Sequence, residues 1–329
     1  MHSVIKKISD LMLALRTYSL PISVMSWFVP FLYAALDGGN ILYGIIALTG
    51  IIFLHLGTNI FDDAIDYVIA KRKIDKGEKD SFNFQKGKCI CIFNSTFTIK
   101  HYFIFSFILF AFAVLTGIFF ISIYGFKLLY IILPAAFLCM LYPILGSLGF
   151  GEFIVAVIFS PFIYLGVFFV MKGYFSFDIL LLSFSTGLLS VAVLHNHMLL
   201  DYNYDAKNRK ITLCRICKSK KNAYYLLCTI IMCAYLNILF CCIYNKLNYI
   251  YLITFLSLPM AYTLIRVMFI HINEEDRLIK PNLFMGSLKE LKNVDYNQKN
   301  FMLKFLIVRN LLSAFTILLC IAVVIDGVN

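Results

Sequence analysis

Apolar runs long enough to cross a lipid bilayer recur along this chain, at about 20–37, 41–58, 101–124, 127–145, 151–171, 177–200, 223–244, 247–270 and 305–325. A spanning helix needs about 20 predominantly apolar residues. Hydrocarbon offers backbone groups no water to bond, so such runs read as helices. With 61% apolar residues over 329 positions, a soluble domain around a single core is excluded. The expected fold is all-α and polytopic, a single domain over 1–329 with nine transmembrane helices.

Positive charge orients these helices, because Lys and Arg collect on the cytoplasmic side. The N-terminal segment holds three, the segment after the second helix eight, the one after the sixth seven, and the one around the eighth helix's end eight, so 26 of 29 share one side. Lys127, Lys172 and Lys246 fall opposite. The N-terminus is therefore expected to be cytoplasmic and the C-terminus external, in a membrane such as the bacterial inner membrane. Topology and anionic lipid account for the net charge of +11, and no nucleic acid partner is implied. Residues 1–19 read as a retained amphipathic segment lying in the interface. Residues 59–100, 195–222 and 271–300 read as cytoplasmic loops, the last with a short interfacial helix.

Of the ten cysteines, Cys139, Cys228, Cys233, Cys241, Cys242 and Cys320 fall within apolar runs, where cysteine packs as a small hydrophobe. Cys89-x-Cys91 and Cys214-x-x-Cys217 resemble zinc half-sites, but four-ligand spacing is incomplete in the sequence.

The second apolar run ends in Asn59-Ile60-Phe61-Asp62-Asp63-Ala64-Ile65-Asp66. At about 100° per residue, Asn59, Asp63 and Asp66 share one helical face. A lone acidic helix end is commonly just solvated. Here a second follows the sixth run, His195-Asn196-His197-Met198-Leu199-Leu200-Asp201-Tyr202-Asn203-Tyr204-Asp205. Both terminate the second helix of a group of four and precede a basic stretch, and Asp63 aligns with Asp201 at an offset of 138 residues. The pattern reads as an internal duplication: two pseudo-repeated four-helix bundles plus one helix, with the acidic motifs facing a central cavity.

Clustered carboxylates repel one another, and a divalent cation bridging them to an anionic substrate resolves the conflict. Mg²⁺ with a prenyl diphosphate fits this demand, because oxygen ligands hold the metal, the metal promotes diphosphate departure, and the apolar chain lies among apolar helices. The expected ligands are Asn59, Asp63, Asp66, Asp201 and Asp205. Arg16, Lys73 and Lys210 are expected phosphate contacts, though each also serves as a positive-inside charge. Tyr142, at a helix end on the same side, can face an allylic cation. His197 can donate a hydrogen bond to diphosphate or acceptor. His55, one turn before Asn59 on the same face, reads more readily as a hydrogen-bonded packing residue than as a functional one.

These residues resemble the UbiA-type intramembrane prenyltransferases, which have nine helices and two aspartate-rich motifs. Asn59-x-x-x-Asp63-x-x-Asp66 is similar to the family's first motif, and Asp201-x-x-x-Asp205 followed by Lys210-x-Thr212-Leu213 to its second. Leu15-Arg16-Thr17-Tyr18-Ser19-Leu20-Pro21 resembles the arginine-containing segment ahead of the first span, with Thr17 where proline is usual. Gly149-x-Gly151-Glu152 resembles the branch that prenylates 1,4-dihydroxy-2-naphthoate for menaquinone. His197, Met198, Leu200 and Gly146 depart from that branch. The resemblance implies Mg²⁺-dependent transfer from a polyprenyl diphosphate to an aromatic acceptor. A UbiA-type enzyme with another acceptor or a cyclisation, and a secondary transporter, are the alternatives. Acids at helix ends rather than mid-span disfavour the transporter.

Overall fold

The computed structural model describes residues 2–75, 89–93, 96–207, 210–244, 247–274, 277, 279–293 and 296–328. Among them no β-strand occurs, and eight apolar helical stretches are long enough to cross a membrane. The count differs from nine at Ile99–Ser147, a 49-residue stretch that contains two helices.

In chain order the helices are α1 (His2–Ala14), α2 (Leu20–Leu36), α3 (Ile41–Asp75), α4 (Ile90–Phe93), α5 (Ile99–Tyr124), α6 (Leu129–Ser147) and α7 (Gly151–Val157). There follow α8 (Ile163–Lys172), α9 (Phe177–Leu200), α10 (Tyr202–Lys207), α11 (Leu213–Ile216), α12 (Lys220–Tyr244), α13 (Leu258–Asn273) and α14 (Tyr296–Val328). A 3₁₀ segment, Tyr249–Ser257, leads into α13. The loop expected over 271–300 holds two 3₁₀ turns, Leu283–Met285 and Lys289–Asn293, and its end already belongs to α14.

The described residues form two compact units. The first comprises Met1–Val24 and Ile41–Gly146, and the second Met25–Asn40 and Ser147–Asn329. This division departs from an even pair of four-helix groups, since most of α2 belongs with the second unit. The cause is local. Lys172 pairs with Asp37 at 2.8 Å, the Asn40 amide donates to the Met171 carbonyl at 3.0 Å, and the Tyr33 ring meets Phe168 edge-on.

In the first unit α3 packs along α5, with Phe61 edge-on to Phe103 and Phe110. Gly57 permits this approach, because a Cβ there would lie 2.9 Å from the Phe110 ring. The helix then runs on to Asp75 without a break, so residues 59–75 are helical rather than loop. No Gly or Pro interrupts them, and Ala64, Ala70, Lys71 and Arg72 favour helix. Ala14 of α1 is buried with Ile60, Ala64, Cys91 and Tyr102, leaving Ile8, Met12 and Leu13 on the outer face.

In the second unit α9 packs on α12 and α14. Pro161 lacks an amide proton, and the ladder shifts to a π turn over Ile158–Phe162. A single parallel bridge, Leu148 to Ile211, aligns the glycine-bearing link before α7 with the segment after the second acidic motif.

Candidate active site

The first motif is a row of oxygen donors on the continuous α3. Asp62 and Asp63 are buried, whereas Asn59 and Asp66 are half-buried. Burying two adjacent carboxylates is costly unless a cation accompanies them. Arg16 is that cation: its guanidinium pairs with Asp63 and lies 3.4 Å from Asp62 Oδ2 through both terminal nitrogens. Burial alone would pull the Arg16 pKa down, but the charge of Asp62, with Tyr18, Asp66 and Tyr142, holds it above its ordinary value. Tyr142 thus lies within electrostatic reach of the same cation.

The backbone is shaped to deliver this side chain. Arg16 adopts a left-handed conformation (φ 51°) between α1 and the 3₁₀ turn Thr17–Ser19. That conformation costs a non-glycine residue roughly 1–2 kcal/mol, which the ion pair offsets. Ser19 closes the turn by donating to the Arg16 carbonyl at 2.8 Å. The Ser19 hydroxyl also accepts from Asn59 Nδ2 at 2.9 Å and meets His55 Nε2 at 2.8 Å. The other His55 nitrogen bonds Ser23. Asn59 is therefore held by a chain, His55 to Ser19 to Asn59, that starts one turn earlier on α3. On its far side Asp63 Oδ2 accepts from the Cys89 amide at 3.3 Å, and the Asp63 carbonyl accepts from the Cys89 thiol.

The second motif is a turn. Asp201 caps α9, and its carbonyl accepts from the Asp205 amide at 2.8 Å. Asp205, in α10, is fully buried. Its carbonyl accepts from the Lys210 amide at 3.0 Å, and Lys210 itself is half-buried. His197 Nδ1 lies 3.6 Å from Asp201 Oδ2, with the imidazole edge-on to Phe301 and Phe305.

Among the expected residues, Arg16, Asn59, Asp63, Asp66 and Tyr142 are thus brought together in the first unit, and His197, Asp201, Asp205 and Lys210 in the second. The Lys73 side chain lies outside the described residues.

Several participants escape helical-wheel reasoning. Asp62 sits beside the chosen face, yet it is the group that most strongly raises Arg16. Ser19 and His55 act through a contact between segments 36 residues apart, which no spacing rule reveals. Lys304 counts in the sequence as a positive-inside charge, but it is buried with Nζ 2.9 Å from His271 Nδ1. Its carbonyl lies 3.4 Å from Asn196 Nδ2, one residue from His197.

Comparison with known proteins bears on the fold and the family. No curated protein matches the chain. Among solved structures, the chain resembles one concerning digeranylgeranylglyceryl phosphate synthase in membranes, at 15% identity and a TM-score of 0.61, over 98% of this chain and 99% of that one. It also resembles a UbiA homologue from Archaeoglobus fulgidus bound to GPP and Mg²⁺, at 13% identity and 0.56, over 94% and 99%. A UbiA homologue from Aeropyrum pernix K1, in its apo form, matches at 13% identity and 0.54, over 93% and 98%. At these identities the likeness establishes the fold. The sequence itself matches the family model over residues 22–288, most of its length, and the chain belongs to the UbiA prenyltransferase family.

Proposed function

We propose that this chain transfers a polyprenyl group from an allylic diphosphate to an aromatic acceptor, 1,4-dihydroxy-2-naphthoate, at an active face on the cytoplasmic side of the membrane. The observation that carries the reading is the buried carboxylate row of α3 with the Arg16 guanidinium against it. Family membership and the Mg²⁺ and GPP of the Archaeoglobus fulgidus homologue support it. The concentration of Lys and Arg beside both motifs supports the cytoplasmic orientation.

The donor set suits Mg²⁺. Asn59, Asp63 and Asp66 offer only hard oxygen atoms along one helical face, and the Asp63 carboxylate is buried where it demands positive charge. These three, with Asp201 and Asp205 of the second motif, would hold the metal. When bound, Mg²⁺ neutralises the diphosphate and makes it a better leaving group.

Arg16 presents a fixed, two-pronged cation suited to phosphate oxygens. Lys210, and Lys73 from the basic end of α3, add attraction without fixed geometry. Ser19 keeps the Asn59 amide oriented so that its oxygen can face a ligand. As the allylic carbon–oxygen bond breaks, its electron pair leaves with diphosphate. Tyr142 offers its ring face to the allylic cation, and His197 a hydrogen-bond donor to the diphosphate or acceptor. The electron-rich acceptor ring forms the new carbon–carbon bond, and the attacked carbon sheds a proton or CO₂ to restore aromaticity.

Gly149-x-Gly151-Glu152 and the first-motif spacing support the naphthoate acceptor. A second reading keeps the donor and changes the acceptor, to a glyceryl phosphate lipid. Leu200, standing where the naphthoate branch carries arginine, and the likeness to the digeranylgeranylglyceryl phosphate synthase structure favour it. Diphosphate release by the purified protein, with a labelled polyprenyl diphosphate and a panel of both acceptor types with and without Mg²⁺, tests the proposal. Product formed with dihydroxynaphthoate alone supports the first reading. Product with the glyceryl phosphate lipid alone replaces it with the second, and absence of Mg²⁺-dependent release with any acceptor refutes both.

A further inference from the structure

Beneath the second motif, three side chains the transfer reaction does not use converge on one point. They are Glu152 in the first turn of α7, His195 in the last turns of α9, and Cys214 in α11. One ligand atom from each lies within 4.8 Å of the other two, and Glu152 is only 4% exposed while His195 and Cys214 are fully buried. The backbone explains the convergence. The parallel bridge between Leu148 and Ile211 sets two strand-like segments in register, so the residues four and three positions further on, Glu152 and Cys214, arrive together.

The hydrogen bonds fix the chemistry of the imidazole. His195 Nε2 lies 2.9 Å from the Ala223 carbonyl. A carbonyl only accepts, so Nε2 carries the proton, and in a neutral ring Nδ1 presents a bare lone pair. That lone pair lies 3.4 Å from Glu152 Oε1 and 3.5 Å from Cys214 Sγ. Glu152 Oε1 is buried without a hydrogen-bond partner. Cys214, as a thiol, can donate to that lone pair or to the His195 carbonyl at 3.5 Å, but Glu152 Oε1 receives no hydrogen bond, and a buried carboxylate so placed is costly unless a cation joins the cluster.

We infer that Glu152, His195 and Cys214 form a binding site for Zn²⁺. In a tetrahedral zinc site with bonds of about 2.0–2.3 Å, neighbouring ligand atoms stand roughly 3.3–3.8 Å apart, which matches the 3.4 and 3.5 Å from His195 Nδ1 to Glu152 Oε1 and Cys214 Sγ. Mg²⁺ is the wrong ion for a thiol and an imidazole, whereas zinc accepts sulfur, nitrogen and oxygen together. An imidazolium donating to the carboxylate would shorten its contact to about 2.7–2.9 Å. The Nε2–H bond to a backbone carbonyl is the outer support that zinc-bound histidines characteristically have.

Cys217, one helical turn beyond Cys214 and half-buried, interacts electrostatically with both Glu152 and Cys214 and is placed to complete the set. The Cys214-x-x-Cys217 spacing, incomplete in sequence, thus gains its missing ligands from α7 and α9. Burial, then the charge of Glu152, push the Cys214 thiol up, so zinc binding converts a thiol to a thiolate and releases one proton to solvent. Because the ligands come from both sides of residues 201–212, the ion would tie down the turn that presents Asp201 and Asp205. Its closed, buried setting suits a structural ion rather than a second catalytic metal.

The test uses the full-length, tag-free protein in detergent, equilibrated with Zn²⁺ and then desalted. We expect about one zinc per chain by mass spectrometry, lost in Cys214→Ser and in Glu152→Gln and kept in Cys233→Ser. Co²⁺ in place of zinc should give the visible bands of a tetrahedral ion and a thiolate charge-transfer absorption in the wild type, a reading that needs no variant to fold. Excess Mg²⁺ should displace neither ion. A wild-type protein that retains no more zinc than Cys214→Ser and gives no cobalt–thiolate absorption overturns the inference. The cluster would then be a hydrogen-bonded packing contact between α7, α9 and α11. Metal content is read independently of turnover, so failure of the prenyl-transfer reading leaves this result interpretable.

Discussion

The Arg16 guanidinium pairs with Asp63 on the buried face of α3, and only 14% of the arginine side chain is exposed. Two buried carboxylates share this one cation, so its removal takes the same neutralising charge from both. Arg16→Gln is expected to destabilise the magnesium-free protein by about 3 kcal/mol, the range for breaking a buried pair. Millimolar Mg²⁺ should restore much of the loss if Asp63 is a metal ligand. Thermal unfolding in detergent with and without Mg²⁺ reads both effects. A variant whose melting point matches the wild type in both conditions shows the pair to be inconsequential.

The carboxylates themselves should act on the chemical step. Asp63→Asn and Asp201→Asn keep shape and remove charge, and each is expected to lower diphosphate release at saturating Mg²⁺ by about 100-fold or more. Asp63→Asn also relieves the demand for Arg16, so its melting point should fall less than that of Arg16→Gln. Full turnover by both aspartate variants would exclude them as metal carriers.

Ser19 joins Asn59 to His55 through bonds of 2.9 and 2.8 Å. Ser19→Ala removes both and leaves the Asn59 amide held only by its longer bond to the Leu15 carbonyl, at 3.5 Å. A lost hydrogen bond of this kind amounts to about 1 kcal/mol, or about a fivefold shift in equilibrium. The expected outcome is about fivefold more Mg²⁺ for half-maximal activity with little change in the maximum rate. A drop in maximum rate at unchanged Mg²⁺ requirement would point to a role in chemistry instead.

What the sequence made legible follows from interactions local to one element. Helical character and the shared face of Asn59, Asp63 and Asp66 depend on periodicity alone. The continuation of α3 to Asp75 was hidden because hydropathy marks where a bilayer ends and not where hydrogen bonding stops. Arg16 could be singled out by its flanking residues, but its partner Asp62 depends on the left-handed turn that aims it, and that turn is set by Ser19 and His55. Cys214 stands out in the sequence only as half of the incomplete Cys214-x-x-Cys217 pair, and Glu152 and His195 carry no metal signal there, since a cluster drawn from three elements has no spacing signature until a backbone bridge aligns two of them.

That bridge makes Gly149 a sensitive position. Its φ is +91°, and an added Cβ would lie 2.7 Å from Ile216 Cδ1 in α11. Gly149→Ala therefore combines a disfavoured backbone with a clash against the far end of a movable side chain. The expected cost is about 1–3 kcal/mol of stability, mostly backbone. Ile216→Ala removes the clash and leaves the strain, so the double variant should recover only a minor part of the loss. Because Leu148 and Ile211 hold Glu152 beside Cys214, Gly149→Ala should also weaken zinc retention, while Gly117→Ala, with its nearest neighbour at 3.6 Å, should not. Thermal unfolding and zinc content on the same preparations separate the two effects: a melting point lowered with zinc fully retained would show that the bridge does not set the geometry of the cluster.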